Sequence, residues 1–418
     1  MTVLVADLLL LAAGYGVLRL LRADVGALAA LAFAWLCGVA ALGLVTTLAG
    51  VAGAPTTPFV TAPPLLVLAA FARPRWRDTD RAVVPTALAL LVGARIVVAA
   101  SHSVSVVNDE YAIWSLRGRA LALAGRLDPG LFANAPALYQ HQDYPLLVPG
   151  LVAWTQRWGG GDAAWHVQLA LMTVALLAVA GWGVTRLGTP LAGIVAVVAA
   201  VVPRSVATHS MRIYADLPTA AFAVALVLLL LVWLREREAW ALHLGAVMAA
   251  GAVLAKNEGA LFVAFACVLA AVLWRRVWAL LPLAAGALAY LPWFVWSRLH
   301  DIGNDVVNAD GGARAALSAD RLNRIADGMR DSWPLPYWWL LLLAAAVWLG
   351  DKRVAALLLG TVAASVGVLT LIYVITPLEV TSHIASSAPR VLMFPALLTA
   401  IGTPLLLAKT PDRPRPEA

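Results

Sequence analysis

Two adjacent carboxylates, Asp109 and Glu110, stand at the mouth of a hydrophobic segment, in the sequence Asn108-Asp109-Glu110-Tyr111. Charged residues make up only 13% of the chain, so a pair of acids beside a bulky aromatic residue is conspicuous. The pair predicts chemistry at the surface of a membrane. The alternative is an acidic N-terminal cap on the following helix, which would explain one carboxylate but does not require two.

A further acid and a histidine follow in the sequence His141-Gln142-Asp143-Tyr144-Pro145. We take His141, Asp143 and Tyr144 as candidates for substrate binding at the same site. Two alternatives stay open. His141 would be an ordinary solvated loop residue, and Asp143 would cap the helix that follows Pro145.

Asp216 stands at the start of another apolar segment, with Pro218 just inside it. An N-cap followed by proline in the first turn would explain both residues. Arg212 and His209 in the preceding loop, however, add a capacity to bind anions that capping does not require. Asp216 is therefore a catalytic candidate and Arg212 a substrate-binding candidate.

Lys256 and Glu258 lie in the connection Ala255-Lys256-Asn257-Glu258-Gly259 between two short apolar segments. A solvated hairpin would account for them equally well. Near the outer leaflet of a membrane, Lys256 would be placed to contact a lipid phosphate. On that hypothesis both residues are candidates for substrate binding.

The elements that position these residues are predicted to be membrane helices. Hydrophobic residues make up 62% of the chain, well above the roughly 45–50% of soluble domains. Because every backbone amide in hydrocarbon must bond internally, an open chain can cross only as helices. We predict an all-α polytopic membrane protein with about thirteen transmembrane helices. The predicted spans are 3–21, 26–50, 58–72, 82–101, 163–186, 189–203, 217–234, 240–255, 259–274, 278–296, 335–350, 354–375 and 391–408.

Basic residues mark alternate loops between these spans, and the positive-inside rule makes those loops cytoplasmic. They are Arg19 and Arg22, Arg73, Arg75, Arg77 and Arg81, Arg186, Arg235 and Arg237, Arg275 and Arg276, Lys352 and Arg353, and Lys409, Arg413 and Arg415. The N-terminus is then outside and the C-terminus inside. The outer loops are 102–162, 204–216, 256–258, 297–334 and 376–390. The basic residues behind the net charge of +7 thus set the orientation of the chain in the membrane. Nucleic acid is not an expected partner.

This topology makes Arg390 unusual, because it ends an outer loop that also contains His383. A cation on the outer side departs from the positive-inside rule, and this favours a functional role for Arg390 and its loop. Arg390 and His383 are therefore substrate-binding candidates. Segment 144–157 is too short to cross and is predicted as an outer-leaflet helix that returns to the same side. Segments 109–126 and 314–333 are predicted as interfacial amphipathic helices, the second a membrane float or a lid.

In this order, the motifs at Asn108–Tyr111, Asp143–Pro149, Tyr214–Pro218 and Ala255–Gly259 resemble those of C-type, multi-pass glycosyltransferases. This group contains the protein O-mannosyltransferases and the aminoarabinose lipid A transferases. The likeness covers 82–296, and 382–392 resembles a terminal loop of some bacterial members. It implies extra N-terminal transmembrane helices in 1–81 and a glycosyltransferase module in 82–296 with an outer catalytic loop, 102–162. An outer loop with an amphipathic helix follows in 297–334, and C-terminal transmembrane helices with a short cytoplasmic tail in 335–418.

The resemblance implies inverting transfer of a sugar from a polyprenyl-phosphate donor to an acceptor hydroxyl on the extracytoplasmic face. It makes Asp109 the general base, with Glu110 as the next candidate, and Asp216 a second acid facing the same cavity. The attack needs a carboxylate to take the hydroxyl proton. The leaving lipid phosphate gains negative charge, which Arg390, Lys256 or Arg212 would stabilise.

The implied partners are the lipid-linked donor, a glycan, lipid or protein acceptor, and the bilayer. The resemblance leaves open whether a divalent metal takes part, and no metal ligand is assigned. A chain rich in alanine, valine and arginine is typical of a GC-rich bacterial genome, so the expected location is a bacterial plasma membrane.

A transporter or flippase of a lipid-linked glycan is the main alternative. Such a protein would place charges near the middle of the membrane, often within inverted repeats. Arg95, inside the fourth predicted span, favours it, whereas the other unusual polar residues fall in outer loops. A non-catalytic scaffold would leave the acids and Arg390 without a common purpose.

Overall fold

The computed structural model of the chain describes residues 2–73, 81–104, 109–132, 141–303, 318–376 and 378–408. The first half of the described chain forms α1 (Thr2–Leu20), α2 (Ala27–Val51), α3 (Pro58–Ala69), α4 (Val83–Ala100), a π-helix (Glu110–Ser115), α5 (Leu116–Ala124), α6 (Pro129–Phe132), α7 (Leu147–Arg157), α8 (Asp162–Leu187), α9 (Pro190–Val201) and α10 (Arg204–His209). Asn108, Arg75, Arg77, Lys409, Arg413, Arg415 and the beginning of segment 314–333 lie outside the described residues.

The second half continues with α11 (Asp216–Glu236), α12 (Ala239–Ala255), α13 (Asn257–Trp274), a 3₁₀ turn (Val277–Leu280), α14 (Leu281–Ala287), a second 3₁₀ turn (Leu288–Tyr290), α15 (Leu291–Leu299), α16 (Ala319–Asp331), α17 (Trp338–Leu349), α18 (Lys352–Ile375), α19 (Val380–Val391) and α20 (Met393–Leu407). All regular structure in the described ranges is helical, as the composition predicts.

Nine helices among the described residues are long and apolar enough to cross a membrane, which is consistent with a polytopic membrane protein. Four more of the predicted spans coincide with shorter apolar helices, namely Pro58–Ala69, Pro190–Val201, Ala239–Ala255 and Trp338–Leu349. A helix of twelve residues such as α9 is about 18 Å long, less than the roughly 30 Å of a hydrocarbon core. The count of thirteen crossings therefore stays a prediction that depends on these four helices.

Helix α11 forms the centre of the hydrophobic core, and it is buried from Asp216 to Leu234. Its sequence is apolar on every side, which is the pattern of a helix surrounded by others. It packs against α8, α12 and α20. The N-terminal helices belong to the same core, because α2 packs against α7, α8 and α12, with Phe33 edge-on to Trp182 at 5.1 Å.

The segment predicted as an interfacial helix over 109–126 is instead a π-helix followed by α5. It ends at Gly125, whose φ of 69° is left-handed, rather than at 128–130, where α6 begins. The prediction of an apolar side facing lipid and a charged side facing water is wrong for Arg117, which is fully buried. The cause is a set of buried carbonyl groups that Arg117 satisfies, described below.

Segment 144–157 forms the eleven-residue helix α7, which begins at Leu147. A helix of this length is about 16 Å long, too short to cross, as predicted. It is buried from Leu147 to Thr155, so protein rather than lipid covers it. The helix has Leu146 at its N-cap position and no side-chain cap, so the alternative that Asp143 caps it is wrong.

The predicted outer loop 376–390 is largely helix α19. Glu379 caps this helix by accepting from the backbone N–H of Thr381 at 3.1 Å and of Ser382 at 2.7 Å. These hydrogen bonds lower the pKa of Glu379 to about 2. The cap stabilises the first turn and so offsets the low helix preference of the serine and threonine residues in this stretch.

Helix α16 is the amphipathic helix predicted within 314–333, and it packs on protein. Ile325 is 2% exposed and lies in a cluster with residues of α18 and α19. Arg321 donates to the carbonyl oxygens of Tyr373 at 3.0 Å and Thr376 at 2.7 Å. Helix α16 thus supports α19, and its role as a membrane float or a lid stays a prediction.

Candidate active site

A cavity of about 300 Å³ lies where the π-helix, α11, α13, α18 and α19 meet. Its polar lining comes from Asp216, Lys256, Asn257, Glu258, His383, Ser387 and Arg390, and its aromatic lining from Trp114, His141, Tyr144 and Tyr373. Aliphatic side chains of Ile113, Leu261, Leu369, Ile372 and Val391 complete the wall. The cavity thus combines an apolar surface with a few convergent charges, the usual character of a ligand site.

Lys256 lies at the centre of the charged side of this cavity. Its ammonium group is 2.8 Å from Asp216 Oδ1 and 2.9 Å from Glu258 Oε1, and it lies 5.4 Å from the centre of the Tyr144 ring. Burial opposes the charge on Lys256, but Asp216 and Glu258 outweigh it and raise the pKa of the ammonium group well above its ordinary value. One fixed cation therefore separates two carboxylates.

The tight packing of α13 on α12 fixes this geometry. Lys256 is the extended residue between the two helices, with φ −159° and ψ 152°. A Cβ at Gly259 would clash with the carbonyl group of Ala252 on α12, so only glycine permits this approach. The close contact turns Lys256 and Glu258 towards the same cavity and excludes the alternative of a solvated hairpin.

Asp216 is the first residue of α11, and its side chain faces the cavity rather than its own helix. The N-cap position belongs to Ala215, and no side chain caps the helix. The carboxylate instead accepts from Lys256 and is almost fully buried. The N-cap explanation of Asp216 is therefore wrong.

Arg390, in the last turn of α19, joins the cavity to Asp109. Its Nη2 donates to Asp109 Oδ2 at 2.6 Å, and its guanidinium group lies 4.8 Å from the centre of the Tyr214 ring. Helix α19 presents His383, Ser387 and Arg390 on one face because they are spaced by four and three residues. Asp109 itself is not among the lining residues and is linked to the cavity through Arg390.

Glu110, although adjacent to Asp109, faces the protein interior. Its Oε1 lies 2.8 Å from His166 Nε2 and accepts from the backbone N–H of Ile213 at 2.8 Å, while Arg212 Nη1 donates to Oε2 at 3.3 Å. Burial opposes ionisation, but these hydrogen bonds and the charge of Arg212 outweigh it and lower the pKa of Glu110. Like Asp109, Glu110 is not among the cavity-lining residues, and its catalytic role stays a prediction.

The same network accounts for Arg212, which was predicted to bind substrate. Arg212 contacts Glu110 and does not line the cavity, and its neighbour Tyr214 supports Arg390. The loop before α11 is thus tied to both acids of the Asp109-Glu110 pair. His166 was missed by sequence reasoning, since nothing in its own helix indicates a partner in a distant loop.

Asp143 and Arg117 both hold the segment that contains His141 and Tyr144 in place, Asp143 from within the segment and Arg117 from α5. Asp143 Oδ2 accepts from Asn257 Nδ2 at 2.6 Å, and its carbonyl oxygen accepts from Trp293 Nε1 at 2.8 Å. Asp143 therefore holds residues of the cavity wall in position and does not itself line the cavity. His141 and Tyr144 do line the cavity, with their rings stacked at 4.6 Å.

Arg117 is the second holder of this segment and was not predicted as a site residue. Its guanidinium group donates to the carbonyl oxygens of His141 at 3.1 Å, Gln142 at 3.0 Å and Tyr144 at 2.8 Å. Burial lowers the pKa of Arg117 to about 10, so the group keeps its charge at neutral pH. The only sequence signal was an arginine within a mostly apolar stretch.

Of the predicted site residues, the structure brings Asp216, Tyr144, His141, Lys256, Glu258, His383 and Arg390 to one cavity, with Asp109 linked to it through Arg390. It places Glu110, Asp143 and Arg212 behind the cavity wall. Within the described ranges, no three His, Cys, Asp or Glu side chains are grouped so that they could hold a metal ion. Comparison of the chain with protein-family models, curated proteins and solved structures finds no match.

Proposed function

We propose that this chain is a membrane glycosyltransferase that moves a sugar from a polyprenyl-phosphate donor to an acceptor hydroxyl, with inversion at the anomeric carbon. The observation that carries the proposal is the pairing of Asp109 with Arg390, which lines one cavity together with Asp216, Lys256 and Glu258. A carboxylate for the incoming hydroxyl and cations for the outgoing phosphate are the two requirements of this chemistry.

The transfer is a single displacement. The acceptor oxygen attacks the anomeric carbon while Asp109 takes the hydroxyl proton. A bond forms between the acceptor oxygen and the carbon, and the bond from that carbon to the phosphate oxygen breaks. The lipid monophosphate leaves with the electron pair.

Arg390 and Lys256 supply the cationic side of the reaction. Both line the cavity and both are largely buried, at 14% and 8% side-chain exposure. Fixed positive groups in a site that excludes water stabilise developing charge more strongly than they would in bulk solvent. In the proposed reaction, these cations would stabilise the charge that the departing phosphate gains.

The apolar wall of the cavity suits a donor that stays in the bilayer. Leu261 belongs to α13, and Leu369 and Ile372 belong to α18, two helices long and apolar enough to span a membrane. A lipid-linked sugar would approach between such helices without leaving the membrane. On the topology predicted from the arginines, the cavity opens to the extracytoplasmic side of a bacterial plasma membrane.

The resemblance to C-type glycosyltransferases supports the same proposal, because its scattered motifs meet in space. Asp109, Tyr144, Asp216 and Lys256 come from four separate segments of the chain, yet three line the cavity and the fourth binds a cavity residue. A transporter is less favoured, since Arg95 is exposed on α4 and does not line this cavity.

The test is glycosyl transfer by purified protein in liposomes, offered a panel of polyprenyl-phosphate sugars with acceptor extracts of bacterial envelope. We expect transfer from one donor, and a fall of about 10²–10⁴-fold in the Asp109→Asn variant. Asp162→Asn is the matched control, because Asp162 is as exposed as Asp109, at 31%, and pairs with an arginine elsewhere. Movement of an intact lipid-linked glycan without a new glycosidic bond would instead identify a flippase.

A further inference from the structure

Both cations that line the described cavity are already paired with acids. Lys256 contacts Asp216 and Glu258, and Arg390 contacts Asp109. A donor phosphate therefore cannot bind an unengaged cation there. It must share one or displace a carboxylate from it.

Lys256 is poorly suited to such an exchange. Its side chain is 8% exposed, and it satisfies Asp216 and Glu258 at the same time. Its removal from either acid would leave a buried carboxylate without its counter-charge, which is strongly unfavourable. Lys256 is therefore expected to stay where it is.

Arg390 is better suited, for three reasons. A guanidinium group has five N–H donors, and its bond to Asp109 uses Nη2. The Tyr214 ring, 4.8 Å away, would keep the guanidinium group in place if its acid partner left. Asp109 is 31% exposed, so water can replace the arginine around its carboxylate.

We propose that the donor phosphate competes with Asp109 for Arg390, so that donor binding releases the carboxylate that acts as base. This inference rests on the proposed function and adds the order of its steps, in which donor binding precedes the release of Asp109. While Arg390 holds Asp109, the guanidinium group occupies Oδ2 of the carboxylate. Once the phosphate has taken Arg390, that oxygen is open to the hydrogen bond of the acceptor hydroxyl.

The competition predicts an effect opposite to that of most active-site substitutions. Loss of the Asp109 charge should raise the affinity for phosphate, although it abolishes transfer. The probe is farnesyl monophosphate, with farnesol as the uncharged reference, titrated into detergent-solubilised protein at low salt. We expect Asp109→Asn to bind farnesyl monophosphate about two- to fivefold more tightly than the wild type, as suits a partly exposed ion pair. Asp162→Asn should leave the affinity unchanged.

A second measurement uses only the wild-type chain and so does not depend on the folding of a variant. Amide hydrogen exchange is followed with and without farnesyl monophosphate. Exchange should slow in α19, where Arg390 gains the phosphate, and should quicken in the π-helix Glu110–Ser115, which loses its tie through Asp109. Slower exchange in both segments would overturn the competition.

The results separate this inference from the proposed function. If the wild type binds farnesyl monophosphate no better than farnesol, the phosphate site itself is refuted, and both proposals fail together. If the wild type binds it selectively but Asp109→Asn binds with equal or weaker affinity, only the competition is wrong. Tighter binding by Asp109→Asn, with transfer lost, supports both.

Discussion

Helices α8 and α11 lie side by side, and each begins near the cavity and ends at a second cluster of charges. Helix α11 has 21 residues, so its ends are about 30 Å apart. At the far end, Arg186 meets Glu236 in a two-pronged ion pair at 3.1 and 2.7 Å and also donates to the carbonyl oxygen of Asp24. Trp182 and Trp240 lie 5.6 and 5.1 Å from its guanidinium group.

The two clusters differ in how completely the polar atoms of their charged side chains are satisfied. In the far cluster the donors of Arg186 are directed to acceptors and the ring systems cover its faces. In the cavity cluster Arg390 uses Nη2 for Asp109 and faces open space, and Glu258 Oε2 is buried without a hydrogen-bond partner in the described part of the chain. A closed network holds helices together, whereas an incompletely satisfied one beside a cavity has capacity left for a ligand.

After Asp109→Asn, the largest expected effect comes from Lys256→Met in the cavity cluster. The substitution leaves Asp216 and Glu258 facing each other without their shared cation, and it removes a charge that would stabilise the leaving phosphate. Transfer should fall by about 10²–10³-fold, the usual loss for one stabilising group. Lys352→Met, which changes an exposed lysine at the start of α18, is the control in the same liposome assay. Comparable losses of transfer in Lys256→Met and Lys352→Met would contradict the assignment of the reaction to the cavity cluster.

Arg186→Gln in the far cluster should affect stability but not chemistry. The loss of charged hydrogen bonds should lower the free energy of unfolding by about 1.5–3 kcal/mol, seen as a lower melting temperature in detergent. Transfer per folded molecule should match the wild type, since the cluster lies a helix length from the cavity. Arg353→Gln, an exposed arginine of α18, should change neither quantity. A loss of transfer at unchanged stability would contradict the assignment of a purely structural role.

The sequence predicts the positions of the helices better than the directions of the side chains. All thirteen predicted spans coincide with helices, because apolar composition over many residues depends on no single contact. Asp109 and Glu110 are neighbours, and on a helix neighbouring side chains point about 100° apart. Contacts with distant segments decide their surroundings: Arg390 binds Asp109, whereas His166, Arg212 and Ile213 hold Glu110 in the interior.

The errors over 109–126 and 376–390 have a similar cause. Arg117 was expected on a solvated helix face, but three carbonyl groups of a distant segment hold it in the interior. Segment 376–390, which contains α19, was expected to be a loop because it lies between two predicted spans and holds many polar residues. Its Glu379 cap and its packing against α16 outweigh that local preference, which a reading of single segments could not detect.

Glu110→Gln tests the network behind the cavity through pH. The pKa of Glu110 is lower in the folded chain than its ordinary value of 4.5. Its contribution to stability is therefore fully present above that value and is lost as the pH falls through the folded-state pKa. At neutral pH the variant should be less stable by about 1–2 kcal/mol, the usual loss of a charged hydrogen bond.

The difference in melting temperature between wild type and Glu110→Gln should then shrink as the pH falls below 4.5. The control is Glu238→Gln, an exposed glutamate near the far cluster, which should show no such trend. A difference that stays constant down to the acid limit would mean that the ionised carboxylate of Glu110 does not hold the 204–215 segment.

The smallest expected effect is that of Tyr373→Phe, which refines the comparison at the edge of the cavity. Tyr373 Oη and Ser387 Oγ share a hydrogen bond of 2.7 Å that joins α18 to α19. Its loss should cost about 0.5–1.5 kcal/mol of unfolding free energy. Because Tyr214 and Asp109 still hold Arg390, the KM for the donor should rise no more than a few-fold, with kcat unchanged. Tyr337→Phe removes an exposed hydrogen bond of 2.9 Å to the carbonyl oxygen of Arg330, which water can replace, and should be neutral in both assays. A fall in kcat for Tyr373→Phe alone would mean that this hydroxyl touches the reacting groups, and would extend the chemically active cluster onto α18.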